Sequence, residues 1–407
     1  MSDLPSPGKT DNAATMGSIF DQEPGLLAAT EIGPAPFRAQ KADLASLQSR
    51  HRLRSLRERK GVDFASNDYL ALASAPRLLD AVRRSIELGV PLGSGGSRLL
   101  RGNDPEHEAL EVEAAAFFGS EAALYFSTGY AANAALLSTL SQRGDLIVHD
   151  ALIHASAHDG MRLGRAAAKS VPHNDAQGFD DAIVAWRKAG GVGQPWIAVE
   201  SIYSMDGDFA PLGDLAAIAS RHDAVLLIDE AHATGVFGPD GRGLASDLDG
   251  RDNVITLRTC GKALGCEGAL VCGPRVVRDF LINRGRGFIF STAPSPLMAS
   301  AVREGLRILA DEPERRACLQ SLVAVAERAL SPHGVIATGS QILPLVLGDD
   351  ARTMRVAGAL QNAGFDVRGI RPPTVPPGTS RLRISLTLNA TVQDVQSLAD
   401  TMGDALR

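Results

Sequence analysis

The stretch Ala224-Val-Leu-Leu-Ile-Asp-Glu-Ala-His-Ala-Thr-Gly235 constrains the fold more than any other part of the chain. Its opening residues are apolar without alternation, so a strand formed there is buried on both faces. Strands of that kind belong to sheets covered by helices on each side. Further short apolar runs occur at 122–126, 146–148, 196–199, 254–257 and 269–272, in addition to 224–228. Amphipathic stretches lie between them, at 106–118, 131–139, 179–188, 212–221 and 274–284. The alternation predicts an α/β fold around a mainly parallel sheet, with ligands bound beyond the C-terminal ends of the strands.

At 407 residues the chain exceeds one ordinary core, and the pattern divides accordingly. Residues 1–40, rich in Pro, Gly, Ser and Asp, read as a flexible extension. Residues 41–62 form an N-terminal helical segment carrying Leu44, Leu47 and Leu53. The large α/β domain spans 63–295. A smaller C-terminal α+β domain follows at 296–407, with a long helical segment after Pro294-Ser-Pro296. Its strands are expected at 342–347, 365–370 and 382–386, and its helices at 353–362 and 391–406.

Net charge is −6 and no long basic tract is present, which argues against nucleic-acid and membrane-surface partners. The local exception, Arg50 through Lys60, reads as a solvated helix face, or alternatively as a contact for an anionic substrate. Cys260, Cys266, Cys272 and Cys318 are too few and too widely spaced for a disulfide framework or a zinc site, so no metal is expected. Cys260, Cys266 and Cys272 read as small buried side chains. No apolar run reaches the length of a membrane span, and the N-terminus lacks a signal-peptide pattern, so a cytoplasmic location is expected.

The chemistry concentrates where the apolar runs end. Asp229 and His232 close the 224–228 run, and Thr259-Cys-Gly-Lys-Ala-Leu-Gly265 offers one uncluttered amine, Lys262. A carboxylate, an imidazole and a free amine meet the needs of pyridoxal 5'-phosphate (PLP). The amine bonds the aldehyde and the carboxylate keeps the pyridine nitrogen protonated. Ser127-Thr-Gly-Tyr-Ala-Ala-Asn133 opens a helix after a strand, and its bare amides suit a phosphate. Gly93-Ser-Gly-Gly-Ser-Arg98 lacks the spacing of a nucleotide loop. His154 follows a strand and is either structural or stacked on a ring. Ser204 could donate to a cofactor oxygen, while Asp206 and Asp208 read as turn residues. Arg381 and Arg383 share one strand face; one could clamp a carboxylate, or both could bridge surface acids.

These residues, together with Phe64-Ala-Ser-Asn-Asp-Tyr-Leu70, His107-Glu-Ala-Leu-Glu111, His173-Asn-Asp175 and Ser204-Met-Asp-Gly-Asp208, resemble the α-oxoamine synthase family of fold-type-I PLP enzymes from about residue 41 onward. The tract 371–387 resembles the alanine-using branch, which joins L-alanine to a pimeloyl thioester on coenzyme A or a carrier protein in biotin synthesis. Relatives that use glycine or serine instead (glycine C-acetyltransferase, 5-aminolevulinate synthase, serine palmitoyltransferase) remain alternatives. A silent partner subunit is a further alternative, against which the joint retention of Lys262, Asp229 and His232 argues; a nucleotide-dependent dehydrogenase fails on the missing glycine fingerprint. The resemblance implies that Lys262 holds the cofactor and then moves protons, Asp229 pairs with the ring nitrogen, and His154 stacks on the ring. It further implies that His232 and Ser204 bind the phenolic oxygen, and that Gly129, Tyr130 and Thr259 bind the phosphate. Asn67, Thr374 and Arg383 match substrate-binding positions. Ser291-Thr292 resembles a segment that reaches the partner's phosphate, which implies a homodimer with shared sites. Two departures stand out: Ala71 replaces the family's usual glycine after Tyr-Leu, and Cys266-Glu267 follows the lysine loop. Arg54 is the candidate match to an arginine that contacts substrate in some relatives.

Overall fold

The computed structural model describes residues 36–407; most of the expected 1–40 extension lies outside the described residues. Residues up to Arg59 and residues from Lys60 onward form separate units. In the first, one helix spans Arg38–Ser49. It ends earlier than the sequence pattern suggests, because His51 takes a left-handed backbone (φ 56°). The amides of His51 and Arg52 then turn back to the Gln48 and Leu47 carbonyls at 3.1 and 2.8 Å. Residues 52–60 are therefore not a helix face, contrary to expectation, and Arg54 lies in this non-helical stretch.

In the second unit the dominant feature is a seven-stranded sheet. Its strands are β1 (Ala122–Phe126), β2 (Leu146–Asp150), β3 (Ala167–Val171), β4 (Pro195–Glu200), β5 (Val225–Asp229), β6 (Val254–Thr259) and β7 (Ala269–Gly273). Their order is β1-β7-β6-β5-β4-β2-β3. All neighbours run parallel except β7, which is antiparallel to both β1 and β6. The apolar run is buried on both faces as its pattern requires. Leu226 and Ile228 pack into one layer with Val148, Ile197 and Val254, while Leu227 packs into the other with Leu136, Ile147 and Leu257. Each fully buried side chain of this size contributes about 1.5–3 kcal/mol.

Strand β3 has no counterpart among the sequence expectations. It is an edge strand whose residues 167–170 are exposed, so it carries no apolar run to detect. The long helical segment is two helices, Pro296–Asp311 and Pro313–Leu330, because Pro313 cannot continue the first and suits the start of the second. Helices at Pro76–Glu87 and Ala155–Leu163 are further additions.

The C-terminal part holds a three-stranded antiparallel sheet of β8 (Ile342–Gly348), β9 (Arg368–Ile370) and β10 (Ser380–Ser385), with β10 central. The single strand expected at 365–370 is two. Phe365–Asp366 leaves this sheet and pairs in parallel with Val62–Asp63. That pairing draws residues 62–70 onto the C-terminal sheet, where Ser385 N donates to Phe64 O at 2.9 Å and Leu388 N to Tyr69 O at 3.1 Å. Phe64, Tyr69 and Leu70 accordingly share a core with Leu382, Ile384 and Leu386.

Candidate active site

The strands β1, β2, β4, β5 and β6 all end on one rim of the large sheet, and each delivers a polar group there. Asp229 ends β5 beside Glu200, its register partner on β4. Asp229 is held from both sides: Asn133 Nδ2 donates to Oδ2 at 2.7 Å and Ala231 N to Oδ1 at 2.9 Å. Asn133 also donates to Ser156 Oγ at 3.1 Å, and Ser156 Oγ lies 2.7 Å from His154 Nδ1. His154 caps the Ala155–Leu163 helix, with Nδ1 accepting from Ser156 N. It remains exposed, yet the surrounding protein lowers its pKa despite the nearby Asp229 charge. A neutral ring with an open side results.

Lys262 sits on the 260–268 loop between β6 and β7. That loop is closed at its base by the Thr259–Ala269 pair and a 2.8 Å bond from Cys260 N to Gly268 O. Lys262 Nζ lies 3.0 Å from His232 Nε2. Burial lowers the lysine pKa to about 8; Asp229 and Glu200 pull against that shift and Arg383 adds to it. His232 is itself buried, and its pKa falls well below the usual range through burial, then through the Lys262 and Arg383 charges. Its other nitrogen, Nδ1, is 2.6 Å from the Tyr69 hydroxyl.

The C-terminal sheet supplies the opposite wall. Arg383 on β10 is buried and donates through Nε to Ser204 O (2.6 Å), through Nη1 to Ser385 Oγ (2.5 Å) and through Nη2 to Asn67 Oδ1 (3.0 Å). Arg381, two residues away, is taken up by Asp206. The two arginines left equivalent by strand periodicity thus separate: Arg381 fastens the 204–208 turn, and Arg383 joins that turn to Asn67. Ser204 N in turn donates to Glu200 Oε2 at 3.2 Å.

At the end of β1, Gly129 begins a helix capped by Thr128. A Cβ on Gly129 would stand 2.7 Å from Thr259 Cγ2, so only glycine lets this helix start approach the end of β6 so closely. The structure thereby sets the amides of Gly129 and Tyr130 beside the Thr259 side chain, all at a rim open to solvent. Thr292 and Thr374 are exposed on loops. The sequence reading did not assign roles to Tyr69, Asn133 or Glu200. Tyr69 and Asn133 lie inside motifs it quoted, but their importance depends on partners more than sixty residues away in sequence. Glu200 ends an apolar run as Asp229 does, and that signal could have marked it. A separate cleft of about 710 Å³, lined by Arg98, Glu111, Arg275 and Phe288 among others, shares none of these residues.

Residues 59–402 match the Aminotransferase class I and II family. The chain belongs to this family. Among curated relatives, an 8-amino-7-oxononanoate synthase from Burkholderia thailandensis is 43% identical over 390 residues, covering 92% of this chain and 96% of the relative. Among solved structures of the family's fold, a serine palmitoyltransferase from S. paucimobilis with bound PLP superposes with a TM-score of 0.81 at 26% identity. That likeness covers 91% of this chain and 97% of that one. An 8-amino-7-oxononanoate synthase from Francisella tularensis superposes with a TM-score of 0.72 at 29% identity, over 84% and 97% of the two chains. The fold-type-I reading and the resemblance to α-oxoamine synthases both hold.

Proposed function

We propose that this chain is a PLP-dependent acyltransferase that condenses L-alanine with a pimeloyl thioester. The products are 8-amino-7-oxononanoate, carbon dioxide and the free thiol carrier, as in biotin synthesis. The observation that carries the chemistry is the Lys262 amine, depressed to a pKa of about 8 in the same cluster as Asp229 and His232. The observation that favours alanine over glycine or serine is the 43% identity to an 8-amino-7-oxononanoate synthase across nearly the whole chain.

The residues present fit PLP. The Gly129–Thr259 approach leaves helix-start amides and a hydroxyl where a phosphate would be held, although Tyr130 contributes only its amide, its side chain pointing to Asp159. Asp229 keeps lone pairs beyond its bonds to Asn133 and Ala231, enough to hold a protonated ring nitrogen. His154 would cover one ring face, and His232 and Ser204 would bind the phenolic oxygen. Thr292, exposed on its loop, would reach a partner subunit's phosphate in a homodimer with shared sites, and the enzyme would act in the cytoplasm.

When bound, PLP supplies an electron sink for bond-breaking at the substrate α-carbon. The protein's part is positional and acid–base. Lys262 Nζ, about a tenth of it free amine at pH 7 against a negligible share for an ordinary lysine, would hold the cofactor and, once freed, would take the substrate α-proton. Arg383 and Asn67 orient the substrate carboxylate, and Thr374 contacts the substrate from its loop. Lys262 then returns a proton after carbon dioxide leaves. Lys262→Ala is expected to lower turnover by at least about 10⁴-fold while retaining some PLP binding. Normal turnover in that variant would remove the assignment. Steady-state rates with alanine, glycine and serine against pimeloyl-, acetyl- and palmitoyl-CoA test the branch, and preference for glycine or serine would overturn it.

A further inference from the structure

We infer that the Tyr69 hydroxyl is a positioning group that sets the hydrogen-bonding state of Lys262 through His232 and couples it to the Arg383–Asn67 pair. The inference rests on the reading of Lys262 as the working amine. Tyr69 is fully buried, and its hydroxyl lies at a junction: His232 Nδ1 at 2.6 Å, Asn67 Oδ1 at 3.0 Å and Arg383 Nη2 at 3.5 Å. Across the imidazole, Nε2 is 3.0 Å from Lys262 Nζ. Burial raises the phenol pKa, so the hydroxyl keeps its one proton and can give it to only one acceptor at a time.

That single proton permits two satisfied arrangements. In the first, Lys262 is an ammonium donating to Nε2, Nδ1–H donates to Tyr69, and Tyr69 donates to Asn67 Oδ1. In the second, Lys262 is a free amine accepting from Nε2–H, and Tyr69 has turned its proton to Nδ1. Asn67 Oδ1 then keeps only the Arg383 bond. The protonation state of the amine is therefore registered, two side chains away, at the residues proposed to orient the substrate carboxylate. Other charged or titratable groups surround the amine: Asp229 and Glu200 favour the ammonium where ionised, Arg383 opposes it, and His154 borders the site. Burial, then the Asp229 charge, raises the Glu200 pKa well above its ordinary range; its Oε2 accepts from Ser204 N, whereas the Tyr69 proton is the one that reaches the His232 ring.

Removing the hydroxyl affects the two arrangements unequally. Without Tyr69 Oη, the Nδ1–H tautomer holds a buried donor with no acceptor, which is less tolerable than a bare ring nitrogen. The ring then prefers Nε2–H, which supports the free amine and not the ammonium. In full-length Tyr69→Phe protein freed of cofactor, competitive acetylation of Lys262 across a pH series, read by mass spectrometry, should show a midpoint about one pH unit lower than in the unsubstituted protein. Thermal unfolding of the variant checks that it is folded. An unchanged or raised midpoint in folded protein overturns the inference. A second measurement needs no substitution: ¹⁵N NMR of the His232 ring should find the proton on Nδ1 below the Lys262 midpoint and on Nε2 above it. A ring that keeps one tautomer throughout overturns it equally. Failure of the underlying reading looks different, since Lys262→Ala would then retain turnover whatever the tautomer does.

Discussion

His232 and His173 lie at the same end of the molecule's large sheet, each with both ring nitrogens engaged, yet one ring is neutral and the other charged. His173 Nδ1 is 2.9 Å from Asp150 Oδ1 and Nε2 is 2.8 Å from Asp208 Oδ2. Burial disfavours its charged form, but the two carboxylates overcome that and raise its pKa to about 10. His232 faces a hydroxyl and an amine, so nothing offsets burial and the ring stays neutral. The difference teaches that partner charge, and not depth, decides what each imidazole can do. An imidazolium clamped between two acids fastens a turn. A neutral ring between two groups that change their donor roles can report on a proton.

The sharpest way to break that contrast is at His232. His232→Asn is expected to reduce kcat by about 10²-fold or more with the fold intact, because an amide cannot bridge Tyr69 and Lys262 as the ring does. Steady-state kinetics beside a thermal melt checks this, and a variant within a few-fold of the parent would erase the distinction. The next largest effect lies at His173 and falls on stability. His173→Gln should cost about 1–3 kcal/mol, since Asp150 is buried and loses its charged partner. The sign follows from the raised pKa: a stabilising imidazolium contributes fully below pH 6.5 and fades as pH rises through about 10. Denaturant unfolding at several pH values should therefore show the gap between variant and parent widest in acid and closing at alkaline pH.

The smallest expected effect concerns Ala71, one of the two departures from the resemblance. Its φ of 53° lies in the left-handed region, where a Cβ is unfavourable, and its amide closes a turn onto Asp68 O at 2.9 Å. Ala71→Gly should raise stability by about 1 kcal/mol, read as a shift in the unfolding midpoint, with little change in kcat. It sharpens the comparison by showing that backbone strain beside Tyr69 can be relieved without altering the His232 chemistry.

The sheet was legible because strands such as 122–126 and 225–229 are continuous apolar runs, and burial on two faces leaves that mark directly. Strand 167–171 was not, because an exposed edge selects for no apolar residues. Asp229 and Lys262 were legible as chemistry that terminates or interrupts apolar segments. The roles of Arg381 and Arg383 were not separable, since period two gives them the same face; only Asp206 on one side and Asn67 on the other distinguish them. Tyr69 was missed for the same reason: its meaning lies in His232, which no local pattern brings near. Residues 1–35 lie outside the described residues.

The reversed course of β7 fixes the seat of the amine. Since the segment bearing Lys262 returns directly to a neighbouring strand, both of its ends are stapled by main-chain ladder bonds within a few residues of the amine. The side chain's anchorage is thus supplied by the main chain of the scaffold. Any change that loosened the Thr259–Ala269 rung would therefore displace the amine directly, since its foothold is part of the sheet itself.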